Sequence, residues 1–275
     1  MHNPLFSIIT PVHNGVEFLD TLISKLDRQL YPRWELIVAI DDPSDLPYAR
    51  FARHPKIKFA PRKSRETGPG LARNDAFAVS IGDYIVKLDV DDWLRDDYLL
   101  KFALFFRDHP ERLGALAVTR VVDGESGDSL YVPNISHRDE IDIETYSRIM
   151  VSTHVVCHRN AHVPWTDARF AEDALRDATL VYQLGTMPIL NTEYIALIHP
   201  RQYTRSQRLT EEEIRHEYLR MAMESPGVEK FFLYRLVSNH HYDARRKPGQ
   251  DWYAFWAEHA NEVPSIEEHV GFEKV

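Results

Sequence analysis

A single cysteine, Cys157, rules out an intrachain disulfide and lends no support to an oxidising compartment. It stands in Val155-Val156-Cys157-His158, a run that reads as a buried strand, where a lone thiol serves as a small hydrophobe. Positive charge is also in deficit. With 33 Lys and Arg against 42 Asp and Glu the formal charge is −9, which argues against a nucleic-acid partner because phosphate backbones demand a basic face. The densest basic cluster, Arg245-Arg246-Lys247, reads as a solvated loop, with anionic headgroup contact as the alternative. No window approaches the ~18 uninterrupted apolar residues that a spanning helix needs. No basic region or long apolar segment precedes the first strand at Leu5, so a signal peptide is not expected and a cytoplasmic chain is. Internal repeats and low-complexity linkers are lacking too. What is present, 44% hydrophobic and 27% charged residues, describes a soluble globular protein with one large core, or one core plus an appendage.

Apolar periodicity organises the first hundred residues. Leu5 to Thr10 reads as a strand stopped by Pro11. Phe18, Leu19, Leu22, Ile23, Leu26 and Leu30 recur at helical spacing until Pro32, and Trp34 to Ile40 reads as a second strand. Ile57 to Ala60 predicts a third strand, Gly68-Pro69-Gly70 opens a helix through Val79, and Tyr84 to Leu88 predicts a fourth strand. A helix from Tyr98 to Phe106 follows. The order β-α-β-β-α-β-α predicts an α/β fold, a mostly parallel sheet with helices on both faces. Ligands of such sheets lie outside the carboxyl ends of the strands, at a topological switch point. The polar clusters Thr10 to Asn14, Asp41 to Asp45 and Asp89 to Asp92 all fall there.

The second half is more mixed. Leu113 to Val122, Leu130 to Val132, Val151 to His158 and Ile189 to His199 predict strands, with a helix from about Glu172 to Leu184. After Thr210 the chain turns helical, and Thr210 with Glu213 makes a capping box. Trp252, Phe255, Trp256 and His259 form one face of a last helix, expected to dock on the core; dimer contact or shallow membrane association is the alternative.

The run Asp89-Val90-Asp91-Asp92 carries the most chemistry. In an extended chain Asp89 and Asp91 project together, while Asp92 faces the opposite side or begins a turn. Three carboxylates so close are costly unless a cation sits between them. Oxygen ligands suit Mg²⁺ or Mn²⁺, which keep open positions for substrate phosphates. The plainer alternative is a solvated acidic turn capping the next helix.

Taken together the motifs resemble a family-2 glycosyltransferase of the GT-A fold. Ser7-Ile8-Ile9-Thr10-Pro11-Val12-His13-Asn14 resembles the opening strand of that family, with His13 where a tyrosine is usual. Glu35 to Asp45 resembles its strand ending in Asp-Asp-Gly-Ser-x-Asp, with Pro43 in the glycine position and φ fixed there. Gly70-Leu71-Ala72-Arg73-Asn74-Asp75-Ala76 is similar to its Ala-Arg-Asn helix start, and Gly82 to Asp92 follows its Gly-Glu-Tyr-Ile-x-x-Leu-Asp-x-Asp-Asp strand. Phe170-Ala171-Glu172-Asp173-Ala174-Leu175 resembles the Glu-Asp pair of inverting members.

The resemblance implies an inverting, metal-dependent transfer of a sugar from a nucleotide-diphosphate donor, UDP-sugar favoured, to a hydroxyl of a glycan or other acceptor. It implies Asp173 as general base with Glu172 beside it. It puts the nucleotide-sugar against Thr10, Pro11, His13, Asn14, Asp41, Asp42, Asp89, Val90 and Asp91, with Arg73 reaching the base or diphosphate and Arg201 and Arg205 over the diphosphate. It puts Mn²⁺ or Mg²⁺ on Asp91 and Asp92, steadied by Asp89, with His199 as an extra ligand. Asp91 and Asp92 are expected at a strand end rather than in the core. Residues 1–205 form the nucleotide-sugar-binding and catalytic domain and 206–275 a helical extension. Lack of a membrane span suits glycan assembly on a cytoplasmic face. The rival readings are a sugar nucleotidyltransferase, disfavoured because Pro11 to Val16 holds one glycine and no cation, and an inactive transferase-like module that binds a glycan or nucleotide.

Overall fold

The computed structural model describes residues 3–41, 46–62, 68–133, 135, 138–149, 153–168, 170–199, 210–250 and 252–259. Its frame is a sheet built from β1 (Phe6–Val12), β2 (Trp34–Ile40), β3 (Ile57–Ala60), β4 (Tyr84–Lys87), β5 (Trp93–Leu94), β6 (Gly114–Asp123), β7 (Ser129–Tyr131), β8 (Glu140–Ile141), β9 (His154–His158) and β10 (Met187–Ile198). The strands run in the order β3-β2-β1-β4-β9-β6-β10-β5, with β7 on β6 and β8 on β10. Parallel pairing joins β3, β2, β1 and β4; β9 is antiparallel to both β4 and β6, and β10 is again parallel to β6. Six strands therefore point one way, as the alternating order demanded, and the chain order reverses at β1, whose neighbours are β2 and β4. That reversal is where an open sheet leaves a crevice.

Alternation along the strands sorts the core into two layers. Phe6, Ile8, Leu36, Val38, Tyr84 and Val86 face α1 (Val16–Asp27) and α3 (Tyr98–Asp108). Ile9, Ile37, Ala39 and Ile85 face the other way, against α2 (Pro69–Val79), α4 (Ile143–Ser147), α5 (Glu172–Leu184), α6 (Glu211–Glu224) and α7 (Glu229–Arg245). Phe231 and Phe232 of α7 are fully buried in that second layer. The Thr210–Glu213 capping box forms as expected. The aromatic stripe of α8 (Trp252–His259) docks on the sheet: Phe255 and Trp256 are buried with Val121, Tyr131 and Ile198. None of the described helices is long and apolar enough to cross a membrane.

Several boundaries differ from expectation for local reasons. β1 continues through Pro11 because β4 pairs only with Phe6 to Ile9, so the missing proline N–H costs no ladder bond on that side. Leu30 lies beyond the end of α1 and is exposed. The short β5 and a 3₁₀ turn at Leu46–Arg53 were not foreseen. The Gly82-Asp83 pair clamps β4 to β1, since Leu5 N–H donates to Asp83 at 2.7 Å and Gly82 N–H to Ser7 Oγ at 2.8 Å. A Cβ on Gly82 would fall 2.6 Å from Ser7 N and Oγ. Gly82→Ala is therefore expected to cost about 1–3 kcal/mol in urea denaturation; a loss within error would mean the clamp is not rigid.

Candidate active site

The loops leaving β1, β2 and β4 meet at the carboxyl edge of the sheet around a cleft of about 570 Å³. Pro11 to Gly15, Asp41 and Asp89 to Asp92 line one side. His154 of β9, Ala171 to Ala174 at the start of α5, and Tyr218, Phe231, Arg235, Asn239, Trp252 and Tyr253 of α6 to α8 complete the lining. The expected residues Pro11, His13, Asn14, Asp41, Arg73, Asp89, Val90, Asp91, Asp92, Glu172 and Asp173 thus share one cavity. Thr10 does not: it is fully buried beneath the floor, its Oγ1 without a hydrogen-bond partner among the described residues. Asp42, Arg201 and Arg205 lie outside the described residues.

On the strand side, Asp41 accepts from Gly68 N–H at 2.9 Å and from Arg62 at 3.1 Å, tying β2 to the start of α2. His13 Nδ1 lies 3.2 Å from the Asp41 carbonyl oxygen, which fixes the β1 loop against β2. Asn14 adopts a left-handed backbone, φ 50°, as does Ala171 across the cleft, φ 56°. Among the described residues these are the two non-glycines with positive φ, and each conformation costs on the order of 1 kcal/mol. Strain of this kind is concentrated at the rim of one cavity.

The three carboxylates after β4 separate. Asp91 Oδ2 lies 3.0 Å from His199 Nε2, a pairing that joins the end of β4 to the end of β10. Burial and the neighbouring Asp89 push the Asp91 carboxyl above its usual range, against the hydrogen bond from His199. Asp92 corrects the expectation of a position outside the core. It is 8% exposed and turns inward, one oxygen accepting Tyr194 O–H at 2.6 Å and the other Leu197 N–H at 2.8 Å. Burial and then the charges of Asp91 and Asp89 push its carboxyl well up. Asp92 holds the turn to β10.

Arg73 also departs from expectation. It is 3% exposed, and its guanidinium donates to Glu172 and, at 2.6 Å, to Asp89, rather than facing open space. Burial alone would depress its pKa, but Asp89, Glu172 and Asp173 raise it, so the cation is locked in. The bridge needs α2 close to α5. Gly70 permits that: a Cβ there would fall 3.2 Å from Glu172 Cγ and 2.0 Å from the carbonyl oxygen of Thr166, in the segment leading to α5.

Beside it runs a second bridge. Lys87, at the end of β4, is 1% exposed and donates to Asp173 at 3.0 Å and Asp177 at 3.1 Å. Asp177 is wholly buried and also accepts from Arg176 at 2.7 Å, whereas the Asp173 side chain keeps 30% of its surface open. Burial would raise the Asp173 carboxyl, but the charges of Lys87 and Arg73 and the Lys87 hydrogen bond outweigh it and hold the group well below the usual carboxylate range. Lys87 and Asp89 stand two apart and therefore face the same way. One anchors Asp173 and the other, through Arg73, anchors Glu172, so the strand end fixes the first turn of α5 across 86 residues of sequence.

Lys87, Tyr194 and His154 were missed by sequence reasoning. His154 stacks on Tyr194 with ring centroids 3.3 Å apart and bonds Thr119 Oγ1 at 3.0 Å; burial, then the Lys87 charge, keeps its pKa well below the ordinary value and the ring neutral. The signal for Lys87 was available: a lysine two places after Ile85 in a strand covered on both faces needs buried counter-charges.

Comparison with known proteins agrees with this geometry. The family model for Glycosyl transferase family 2 matches residues 7–161, more than half of the chain. Over 118 residues the chain is 35% identical to the O-antigen biosynthesis protein RfbC of Myxococcus xanthus, covering 39% of this chain and 9% of that far longer protein. The structure of S. aureus TarS 1-349 in complex with UDP-GlcNAc is similar with a TM-score of 0.62 at 18% identity, over 87% of this chain and 73% of that one. The mannosyltransferase PcManGT from Pyrobaculum calidifontis, in complex with GDP-Man and Mn²⁺, is similar with a TM-score of 0.55 at 13% identity, over 100% and 89% of the two chains. At these identities the structures speak for the fold, which is GT-A, and the family model speaks for descent. The chain belongs to glycosyl transferase family 2.

Proposed function

We propose that the chain moves a sugar from a nucleotide-diphosphate donor, a UDP-sugar in the first instance, to a hydroxyl of a glycan-type acceptor with inversion at the anomeric carbon. The observation that carries this reading is the cleft-facing Asp173 carboxylate, set by Lys87 across from Asp89 and Asp91. Donor binding is assigned to the strand side, where the His13 and Asp41 loops would cradle the nucleoside. Asp173 receives the proton of the acceptor hydroxyl. Its lowered pKa keeps it ionised but makes it a weak base, so proton transfer follows the forming C–O bond, which acidifies the hydroxyl. Glu172, held by Arg73, orients that carboxylate. The names of RfbC and of the UDP-GlcNAc complex of TarS support a glycan acceptor and a UDP-sugar donor, and assembly of a surface glycan from the cytoplasmic face is the setting we assign.

The residues present fit a divalent cation. Asp91 gives an oxygen donor at the cleft and His199, paired with it, a nitrogen donor, while Asp89 adds negative charge on the cleft lining. Among the described residues no group of three or more His, Cys, Asp or Glu could hold a metal ion by itself, so Mn²⁺ or Mg²⁺ would draw its remaining ligands from substrate phosphate and water. Such an ion would neutralise the leaving diphosphate. Asp92, with both oxygens engaged, supports Asp91 from behind rather than reaching the ion itself. UDP is expected to raise the melting temperature with Mn²⁺ and to lose that effect in chelator; at a hundredfold excess over Kd the stabilisation is about 2.7 kcal/mol. An undiminished shift in chelator would exclude the ion from donor binding.

A further inference from the structure

Three arginines among the described residues are nearly or wholly buried: Arg73 at 3%, Arg176 at 1% and Arg235 at 6% exposure. Arg73 pairs with Asp89 and Glu172, and Arg176 with Asp177. Arg235, on α7, has no ion pair with a described carboxylate, and its buried Nη1 lacks a hydrogen-bond partner among the described residues. Its surroundings are aromatic. The Phe231 ring centroid lies 4.8 Å from the guanidinium, and Tyr218, Trp252 and Tyr253 line the same wall of the cleft. Rings and phenols offer a cation quadrupoles and dipoles, not charge. Burying an uncompensated guanidinium is strongly unfavourable, a penalty that an incoming anion removes.

The anion is not accounted for by the donor as placed above. Arg235 lies on the α5 side of the cleft, where Tyr218 and Tyr146 feel both its charge and that of Asp173. The donor residues of the same cleft stand instead on the loops after β1, β2 and β4. Building on the transferase reading, we infer that α6, α7 and α8 wall the acceptor subsite and that it takes an acceptor carrying an anionic oxygen group, a phosphate or a carboxylate, which pairs with Arg235 while a sugar ring rests on Trp252 and Tyr253. The helices after Thr210 are then the part of the chain that selects the acceptor.

The test uses the full chain with UDP and Mn²⁺, titrated with glucose 6-phosphate, glucuronate or glucose, and read by thermal shift. Wild type is expected to respond to an anionic sugar and not to glucose, response to the phosphate alone or the carboxylate alone identifying which group is taken. Arg235→Met should weaken that response on the order of tenfold to a hundredfold, the worth of a hydrogen bond to a charged group, while its UDP response stays intact. Its melting temperature without ligand should hold or rise, because an unpaired buried charge has been removed. Arg235→Lys should keep part of the anion response. Equal responses to glucose and the anionic sugars, or an anion response that survives in Arg235→Met, would overturn the inference. So would loss of the UDP response in Arg235→Met, which moves the residue to the donor site, or a melting temperature that falls sharply, which makes it structural. Failure of wild type to respond to UDP at all would count instead against the transferase reading.

Discussion

Asp173→Asn is expected to bind UDP-sugar as the parent chain does and to transfer the sugar ~10²–10⁴-fold more slowly, the usual worth of a positioned general base. The amide keeps the shape and can still accept from Lys87 Nζ through its oxygen, so the first turn of α5 should hold. What it loses is the capacity to take a proton. Donor affinity and turnover therefore separate, with KM for the donor near normal and kcat collapsed. Glu172→Gln should cost less, because Glu172 faces the buried Arg73. Near-normal turnover by Asp173→Asn would exclude it as the base. A fall in donor affinity that matches the fall in rate would instead mean that its charge helps to organise the donor side.

Lys87→Met should be the most damaging single change to stability. The substitution fits the volume but strips the ammonium from between Asp173 and wholly buried Asp177. Burial alone would pull the Lys87 pKa down; the two carboxylates raise it, which measures how firmly the charges depend on each other. Removing one partner of a buried ion pair costs about 3–5 kcal/mol because the other charge stays uncompensated. Arg176 still reaches Asp177, which favours the lower end of that range. Urea denaturation of the two proteins decides: a loss below about 1 kcal/mol would mean that water or a rearranged Arg176 replaces the ammonium.

Sequence patterning reached the frame of this molecule because the frame is governed by local rules. β2, β3 and α5 occupy the predicted residues, and His13, Asn14, Asp41 and Asp89 to Asp92 follow strand ends because apolar runs must end before loops begin. Periodicity states which face a side chain takes and is silent on what it meets there. Arg73 and Asp92 were both placed toward substrate, yet one meets Glu172 at 99 residues' separation and the other Tyr194 at 102. Lys87 announces a need for buried counter-charges, but which acids meet it is decided only when α5 packs, 86 and 90 residues on. Arg235 carries no local signal at all, since what distinguishes it is the lack of a partner that only the folded chain could provide or withhold.

The two walls of the cleft are also made at different times. β1 to β5 are complete by Leu94, whereas Arg235 and Trp252 lie 141 and 158 residues further along the chain. At ~5–20 residues per second a ribosome needs roughly seven to thirty seconds to span that interval. During it, the sheet face bearing Ile9, Ile37 and Ile85 has α2 for cover but not yet α5 or α7. Over that interval a growing chain carries a sticky, half-covered face, so its yield in cells should depend on chaperone supply more than the stability of the finished fold would suggest.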